Sequence, residues 1–271
     1  MYQVTARNFA EATENKIHSD EIARRYGFTG ALVPGVAVWG HLTHPVVERF
    51  GEEWLRSGHA ALRLHKPAYD GDRLEVEMSE EDASSAEQDA APPGRLRVTC
   101  SNADGVLLAE LVAPPADEHR LLPQGPLGGW SDAPLKPHAR PLMEWDTVVE
   151  GEHFTPWNQL LAADENRRYC SQIDEPLPLY EEQGIVHPHW LLALANRALT
   201  REYVMPAWIH VSSEIRFRRL LRVDQRIVVE SRVEKKWERK GHQFVRLLLR
   251  YLRRGELATE VSHTAIFRVA E

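Results

Sequence analysis

Apolar residues recur every three or four positions over residues 33–50. This spacing places them on one face of a helix, whereas a strand would require strict alternation, so we predict a central helix there. A second apolar run, WLLALANRAL at 190–199, predicts a counterpart helix in the second half of the chain. The apolar positions of the first run are Val36, Trp39, Leu42, Val46, Val47 and Phe50.

Further stretches of both halves have the composition of strands, and several alternate polar and apolar residues. Such alternation is typical of a sheet with one buried face and one solvent-facing side. Each half therefore offers a helix followed by strands, which predicts an antiparallel sheet curled around a single helix. The predicted strands are DRLEVEM (72–78), RLRVTCSN (95–102), VLLAELVA (106–113), SEIRFRRL (213–220), QRIVVESRV (225–233), HQFVRLLLRYL (242–252) and TEVSHTAIFRV (259–269).

Three landmarks recur at a nearly constant separation of 150 to 153 residues, which indicates a duplicated domain. Between the halves, residues 114–142 are rich in Pro and Gly and have neither a helical nor a strand period. We predict a first domain over residues 1–118, a linker over 119–142 and a second domain over 143–271, with an exposed loop at 79–94. The paired landmarks are Val33-Pro34-Gly35 with Val186-His187-Pro188, Asp72 with Asp224, and Gly105 with Gly255.

The overall composition argues against several classes of protein. The chain has 271 residues and a formal net charge of −7, which disfavours a nucleic-acid binder that neutralises phosphates. No apolar run approaches the ~20 residues of a membrane span, and the first residues lack the pattern of a signal peptide. Cys100 and Cys170 are too few for a disulfide framework. We therefore expect a cytoplasmic protein with no nucleic-acid or membrane partner.

The segment TENKIHSDEIARRYGFTGALVPGV, residues 13–36, resembles the MaoC-type hot dog family of (R)-specific enoyl-CoA hydratases and acyl dehydratases. The family pattern is Asp-x-Asn-Pro-x-His, then a Phe-Gly-type turn and Val-His-Gly at the start of the central helix. The strand region RLHKPAYDGDRLEVE is also similar, and the second half looks like a diverged copy. The resemblance implies an α+β fold of two fused hot dog domains (a double hot dog), with antiparallel sheets each wrapped around a central helix. The matching positions are Asn15, Ile17, His18, Asp20, Ala23, Phe28, Val33 and Gly35.

Several positions depart from the family pattern. The family Asp falls at Thr13, its Pro at Lys16, and the His before the helix glycine at Pro34. In the second half, the Asp, His and glycine positions hold Glu175, Tyr180 and Pro188. Since proline has no N–H, Pro188 cannot offer a backbone donor at the helix start, and any surviving site is predicted in the first half.

The resemblance implies addition or removal of water at an acyl thioester. That chemistry needs groups that move protons and a donor for the thioester oxygen. His18 is the candidate for proton transfer, because its unperturbed pKa lies near the working pH. Gly35, which follows Pro34, can present its N–H to the oxygen at a helix N-terminus, where the helix dipole also favours negative charge.

Thr13 holds the position of the family Asp, and which residue takes over the role of that Asp is open. Glu14 lies four residues before His18, so the two would share a face if this segment were helical. Glu14 could equally be a solvated carboxylate. Asn15 could orient water or the thioester carbonyl, or simply cap the following turn. Thr13 could position a water molecule.

We therefore predict an acyl-thioester dehydratase or hydratase of fatty acid or polyketide metabolism, a hydro-lyase that interconverts 3-hydroxyacyl and 2-enoyl thioesters. Its expected partner is acyl-CoA or an acyl-carrier protein, with no cofactor beyond the CoA or phosphopantetheine of the substrate. An isomerase or thioesterase on the same fold, or a non-catalytic acyl-thioester-binding subunit, stays an alternative. No metal site is predicted, because His187 and His189 could share a metal only from an extended backbone. The oligomeric state is open, a homodimer included.

Overall fold

The structure is a computed structural model, and it describes residues 1–81, 95–114 and 140–270. Most of the predicted linker and of the predicted 79–94 loop lies outside these ranges. The helices are Asp20–Arg25 (α1), Gly35–Ser57 (α2), Ala163–Gln172 (α3), Leu179–Glu182 (α4) and Pro188–Glu202 (α5), with a 3-10 turn at Lys16–His18. The strands are Tyr2–Thr5 (β1), His59–Leu64 (β2), Arg73–Glu81 (β3), Arg95–Asn102 (β4), Leu107–Ala113 (β5), Trp157–Leu160 (β6), Ile209–Phe217 (β7), Arg226–Arg239 (β8), His242–Arg253 (β9) and Glu256–Arg268 (β10).

The strands form one antiparallel sheet in the order β1-β3-β4-β5-β2-β7-β10-β9-β8-β6. Each half contributes five neighbouring strands, and their order from the outer edge to the centre is the same in both halves. From the outer edge inward, β1, β3, β4, β5 and β2 of the first half correspond to β6, β8, β9, β10 and β7 of the second. The halves join where β2 pairs with β7, with Ala60 opposite Ile215. The two predicted sheets are therefore continuous, edge to edge.

The central helices α2 and α5 supply the core. Trp39 and Leu42 of α2 and Trp190 and Leu194 of α5 are buried, each with at most 1% of its surface exposed. Burial of a side chain of this size contributes about 1.5–3 kcal/mol. The indole N–H of Trp39 also donates to the Pro188 carbonyl at 3.0 Å, which ties the two helices together. No helix in the described ranges is long and apolar enough to cross a membrane.

Both predicted helices are present, but three features differ from the prediction. Helix α2 continues to Ser57 because Trp54 and Leu55 extend its buried face beyond Gly51, whose φ of +60° interrupts the helical backbone. Strands β1 and β6 precede the helices instead of following them, and each has only four residues, too few for alternation to be recognised. Strand β2 was also missed, because both faces of its first residues are buried at the joint between the halves.

Candidate active site

The polar segment before α1 is held by the other half of the molecule. The Asn15 side-chain oxygen accepts from the Trp208 N–H at 3.1 Å, and its amide nitrogen donates to the Trp208 carbonyl at 3.0 Å. The Lys16 N–H donates to the Pro206 carbonyl at 2.8 Å. Asn15 is buried, so this amide acts as a backbone-like clamp that fixes the segment at the start of β7.

The hydrogen bonds of His18 determine its neutral tautomer. Its Nδ1 lies 2.7 Å from the Leu32 carbonyl oxygen, which can only accept, so Nδ1 carries the proton. The lone pair is then on Nε2, which accepts a hydrogen bond from the Asn15 side-chain nitrogen at 3.3 Å, a bond that a water molecule must replace before Nε2 can take its proton. Burial lowers the pKa of His18, opposed by the Leu32 carbonyl. The ring is therefore neutral at pH 7, with its basic nitrogen at Nε2.

Gly35 is the first residue of α2, and Pro34 occupies the N-cap without a side-chain hydrogen bond to the helix. The first N–H groups of a helix have no partner within the helix, so they are available to a ligand. A Cβ on Gly35 would overlap the Leu64 side chain and would lie 2.9 Å from His210 Nδ1. Only glycine therefore fits at position 35 unless Leu64 or His210 moves.

A cavity of 680 Å³ brings these groups together. His18, Asn15, Pro34 and Gly35 line it from the first half, and residues of β7 to β10 line it from the second. Its described lining contains no Asp or Glu, although the whole chain has 40 acidic residues. Three cations do line it: Lys66, Arg239 and Lys240.

Glu14 and Thr13 lie outside this cavity. The Glu14 carboxylate is exposed and pairs with Arg140 at 2.6 Å. The first helical residue is Lys16, in a 3-10 turn, so Glu14 does not share a helix face with His18 and the condition for the predicted pair is not met. The Thr13 hydroxyl donates to the Ala10 carbonyl at 2.6 Å, also on the exposed side of the segment.

In the second half, the residue at the family Asp position forms a sealed network instead of a site. Glu175 accepts hydrogen bonds from His44 Nδ1 at 2.9 Å and from His187 Nε2 at 3.2 Å. The His189 N–H donates to His187 Nδ1, which leaves the ring proton on Nε2 for Glu175. Burial raises the pKa of Glu175, but the hydrogen bonds from His187 and His44 outweigh it and lower the pKa to about 2. This ionised carboxylate joins α2 to the start of α5.

Tyr180 and Pro188, at the family His and glycine positions of the second half, do not form a site either. The Tyr180 ring is fully buried against His187, with ring centres 4.2 Å apart, and Pro188 has no N–H to offer. Among the described residues, no three His, Cys, Asp or Glu side chains are arranged to hold a metal ion.

Sequence reasoning missed the contributions of the second half to the cavity: Trp208, His210 and the turn at Arg239–Lys240. Lys240 and Gly241 have φ values of +52° and +78°, as expected for a tight hairpin turn between β8 and β9. The Lys-Gly pair between two strand patterns does signal a turn. Nothing in the local pattern indicates that this turn reaches the cavity of the other half.

No protein-family model matches the chain, and no curated protein matches it. Solved structures do match. A protein of Chloroflexus aurantiacus, provisionally described as a MaoC domain dehydratase, superposes with a TM-score of 0.64 at 12% identity, covering 99% of this chain and 93% of that one. A Mycobacterium tuberculosis protein with a double hotdog fold gives a TM-score of 0.61 at 16% identity, covering 98% and 93%. This chain has a double hot dog fold.

The double hot dog fold expected from the MaoC-type resemblance is therefore confirmed. The same fold also carries other activities, since a Lactobacillus plantarum protein provisionally described as an oleoyl thioesterase matches with a TM-score of 0.53 at 10% identity, covering 100% of this chain and 96% of that one. At such identities the likeness establishes the fold, and activity has to be argued from the cavity.

Proposed function

We propose that this double hot dog protein adds water to, or removes it from, an acyl thioester bound in the cavity. The observation that carries the proposal is the pairing in one cavity of a neutral imidazole, with its lone pair on His18 Nε2, and the start of α2 at Gly35, whose first N–H groups have no partner within the helix. A thioester oxygen at Gly35 would gain a donor and the positive end of the α2 dipole as negative charge develops.

His18 would carry both proton transfers, because the described cavity lining contains no carboxylate. In the hydration direction, water gives a proton to His18 Nε2 as its oxygen bonds to the β-carbon of the enoyl group. The electron pair of the double bond moves toward the thioester oxygen. The imidazolium then gives its proton to the α-carbon, so one water is added and His18 is neutral again.

The cations of the cavity favour CoA as the carrier of the acyl group. Lys66, Arg239 and Lys240 are exposed, and none of them pairs with a carboxylate in the described part of the chain. Unpaired cations at the cavity of a chain with net charge −7 suit an anionic ligand. Three such cations match the phosphates of CoA, which are compact and multiply charged. An acyl-carrier protein, whose association with this chain would also be electrostatic, is the alternative to test.

Reversing two of these charges is expected to weaken binding of CoA thioesters. In Lys66→Glu/Arg239→Glu, KM for an enoyl-CoA is predicted to rise at least tenfold with kcat nearly unchanged, and the effect is predicted to shrink as salt increases. Arg226→Glu, at the other end of β8, is the matched control and is expected to leave KM unchanged. A double variant with the wild-type KM at low salt would show that Lys66 and Arg239 do not bind the phosphates of CoA.

Product analysis tests the reaction itself. Crotonyl-, trans-2-hexenoyl- and trans-2-decenoyl-CoA are incubated with the protein and analysed by mass spectrometry, with proton NMR to locate the double bond, since its displacement leaves the mass unchanged. The expected product is the intact thioester with one added water. Free CoA would instead indicate a thioesterase, a displaced double bond would indicate an isomerase, and binding without conversion would indicate a non-catalytic subunit.

A further inference from the structure

His210 is the second residue of β7 and faces the start of α2. Its Nε2 lies 2.8 Å from Ser213 Oγ, and the same oxygen lies 2.9 Å from His263 Nδ1. All three side chains are buried, with His210 only 7% exposed. The Ser213 hydroxyl therefore lies between the two imidazoles and holds the His210 ring in a fixed orientation.

The other ring nitrogen of His210, Nδ1, is buried and has no hydrogen-bond partner of good geometry among the described residues. A buried polar atom without a partner is costly, so such an atom at a cavity wall indicates a missing ligand or a functional role. Burial lowers the pKa of His210 to about 3, against a smaller opposing contribution from a hydrogen bond with the Ser212 backbone. The ring is neutral at every working pH, so Nδ1 is either a hydrogen-bond donor or a lone pair.

The position of Nδ1 relative to Gly35 indicates what the missing partner is. Nδ1 lies 2.9 Å from the point that a Cβ on Gly35 would occupy. That point is about 2.5 Å from the Gly35 nitrogen by standard covalent geometry. The two nitrogens are therefore at most about 5.4 Å apart, the sum of these two distances, so one ligand oxygen can lie within hydrogen-bond distance of both once the Leu64 side chain, which now overlaps that point, changes rotamer.

We infer that His210 Nδ1–H is the second donor of an oxyanion hole whose first donor is the Gly35 N–H, and that both bind the thioester oxygen of the substrate. In this arrangement the Ser213 hydroxyl donates to His210 Nε2 and accepts from His263 Nδ1–H, which leaves the His210 proton on Nδ1. His210 donates a hydrogen bond throughout and transfers no proton. A neutral imidazole polarises a carbonyl without adding a buried charge. This inference rests on the proposed function, since it requires a thioester in the cavity.

Paired ligands test the inference. Butyryl-, hexanoyl- and decanoyl-CoA are compared with the matching S-alkyl-CoA thioethers, which lack only the carbonyl oxygen. We expect the wild-type protein to bind at least one thioester more tightly than its thioether, and the infrared carbonyl band of that bound thioester to move to lower frequency. In His210→Phe, the preference for the thioester is expected to fall about three- to tenfold and the band to move back. For turnover of the enoyl-CoA, kcat is expected to fall about 100-fold with little change in KM.

His210→Asn is the conservative variant, because its side-chain nitrogen can occupy the place of Nδ1. It is expected to recover most of the thioester preference and of the band shift. If His210→Phe fails to fold, His210→Leu, which also lacks a donor, is measured in its place with the same expected losses. A folded His210→Phe with the wild-type preference and band would overturn the inference while leaving the proposed function intact. A wild-type protein that binds none of these CoA compounds would instead overturn the proposed function.

Discussion

Replacing His18 with asparagine is expected to lower kcat for an enoyl-CoA by about 10²- to 10⁴-fold, the usual contribution of a positioned acid–base group. The asparagine amide can still donate to the Leu32 carbonyl, so the variant removes the basic nitrogen and keeps the local hydrogen bond. Thermal unfolding and circular dichroism are expected to stay close to wild type. The rate is measured by the loss of the enoyl thioester absorbance.

Glu14→Gln is the matched control for this variant. Glu14 is in the same segment but is exposed and pairs with Arg140, so its substitution is expected to leave kcat within about twofold of wild type. Because the active form of His18 is unprotonated and its pKa is lowered, the wild-type rate should fall only below pH 6.5 as the medium is acidified. Equal rates for His18→Asn and wild type would rule out His18 as the base.

Gly35→Ala is expected to lower kcat by about 10²- to 10³-fold, as the loss of an oxyanion donor does. The new methyl group would overlap Leu64 and lie 2.9 Å from His210 Nδ1, so the start of α2 and its N–H must shift. Alanine favours a helix by about 1 kcal/mol, and overpacking costs about 1–3 kcal/mol, so the net change in stability is expected to be small. Kinetics with thermal unfolding separate the two effects.

Gly30→Ala provides the control for this substitution. A Cβ on Gly30 would lie 3.3 Å from the Asp20 carboxylate, between α1 and α2 and away from the described lining of the cavity. It is expected to leave kcat unchanged. If Gly35→Ala were as active as Gly30→Ala, the helix start could not be the binding site of the thioester oxygen.

The sequence pointed to those parts of the cavity lining that belong to one continuous segment. His18 and Gly35 belong to one continuous segment whose pattern resembles the family, and the structure places both on one cavity. The predicted pairing of Glu14 with His18 is not present, because the turn that begins at Lys16 directs Glu14 to Arg140, 126 residues further along the chain. The pattern of neighbouring residues does not indicate such a distant contact.

The parts contributed by the second half could not be predicted for the same reason. Asn15 contacts Trp208, which lies 193 residues further along the chain. The pairing of β2 with β7 brings the start of β7 and His210 to the first-half helix. The duplication was visible in the spacing of landmarks, but the edge along which the copies join is a property of the folded sheet.

The two copies therefore contribute different groups to the candidate site. The first half supplies His18 and Gly35, while the second supplies the clamp at Trp208, the buried histidine at 210 and the cations at the tip of the β8–β9 hairpin. The corresponding place in the second half is occupied by the Glu175 network. Because the proposed activity uses only the helix start of the first half, at Gly35, it does not require a backbone N–H at Pro188.

A crystal structure with a bound saturated acyl-CoA would show whether the thioester oxygen binds at the start of α2 beside His18. We expect the thioester oxygen about 3 Å from the Gly35 nitrogen, the β-carbon facing His18 Nε2, and the phosphates near Arg239 and Lys240. An acyl-CoA bound elsewhere, or with its carbonyl turned away from the start of α2, would contradict this expectation.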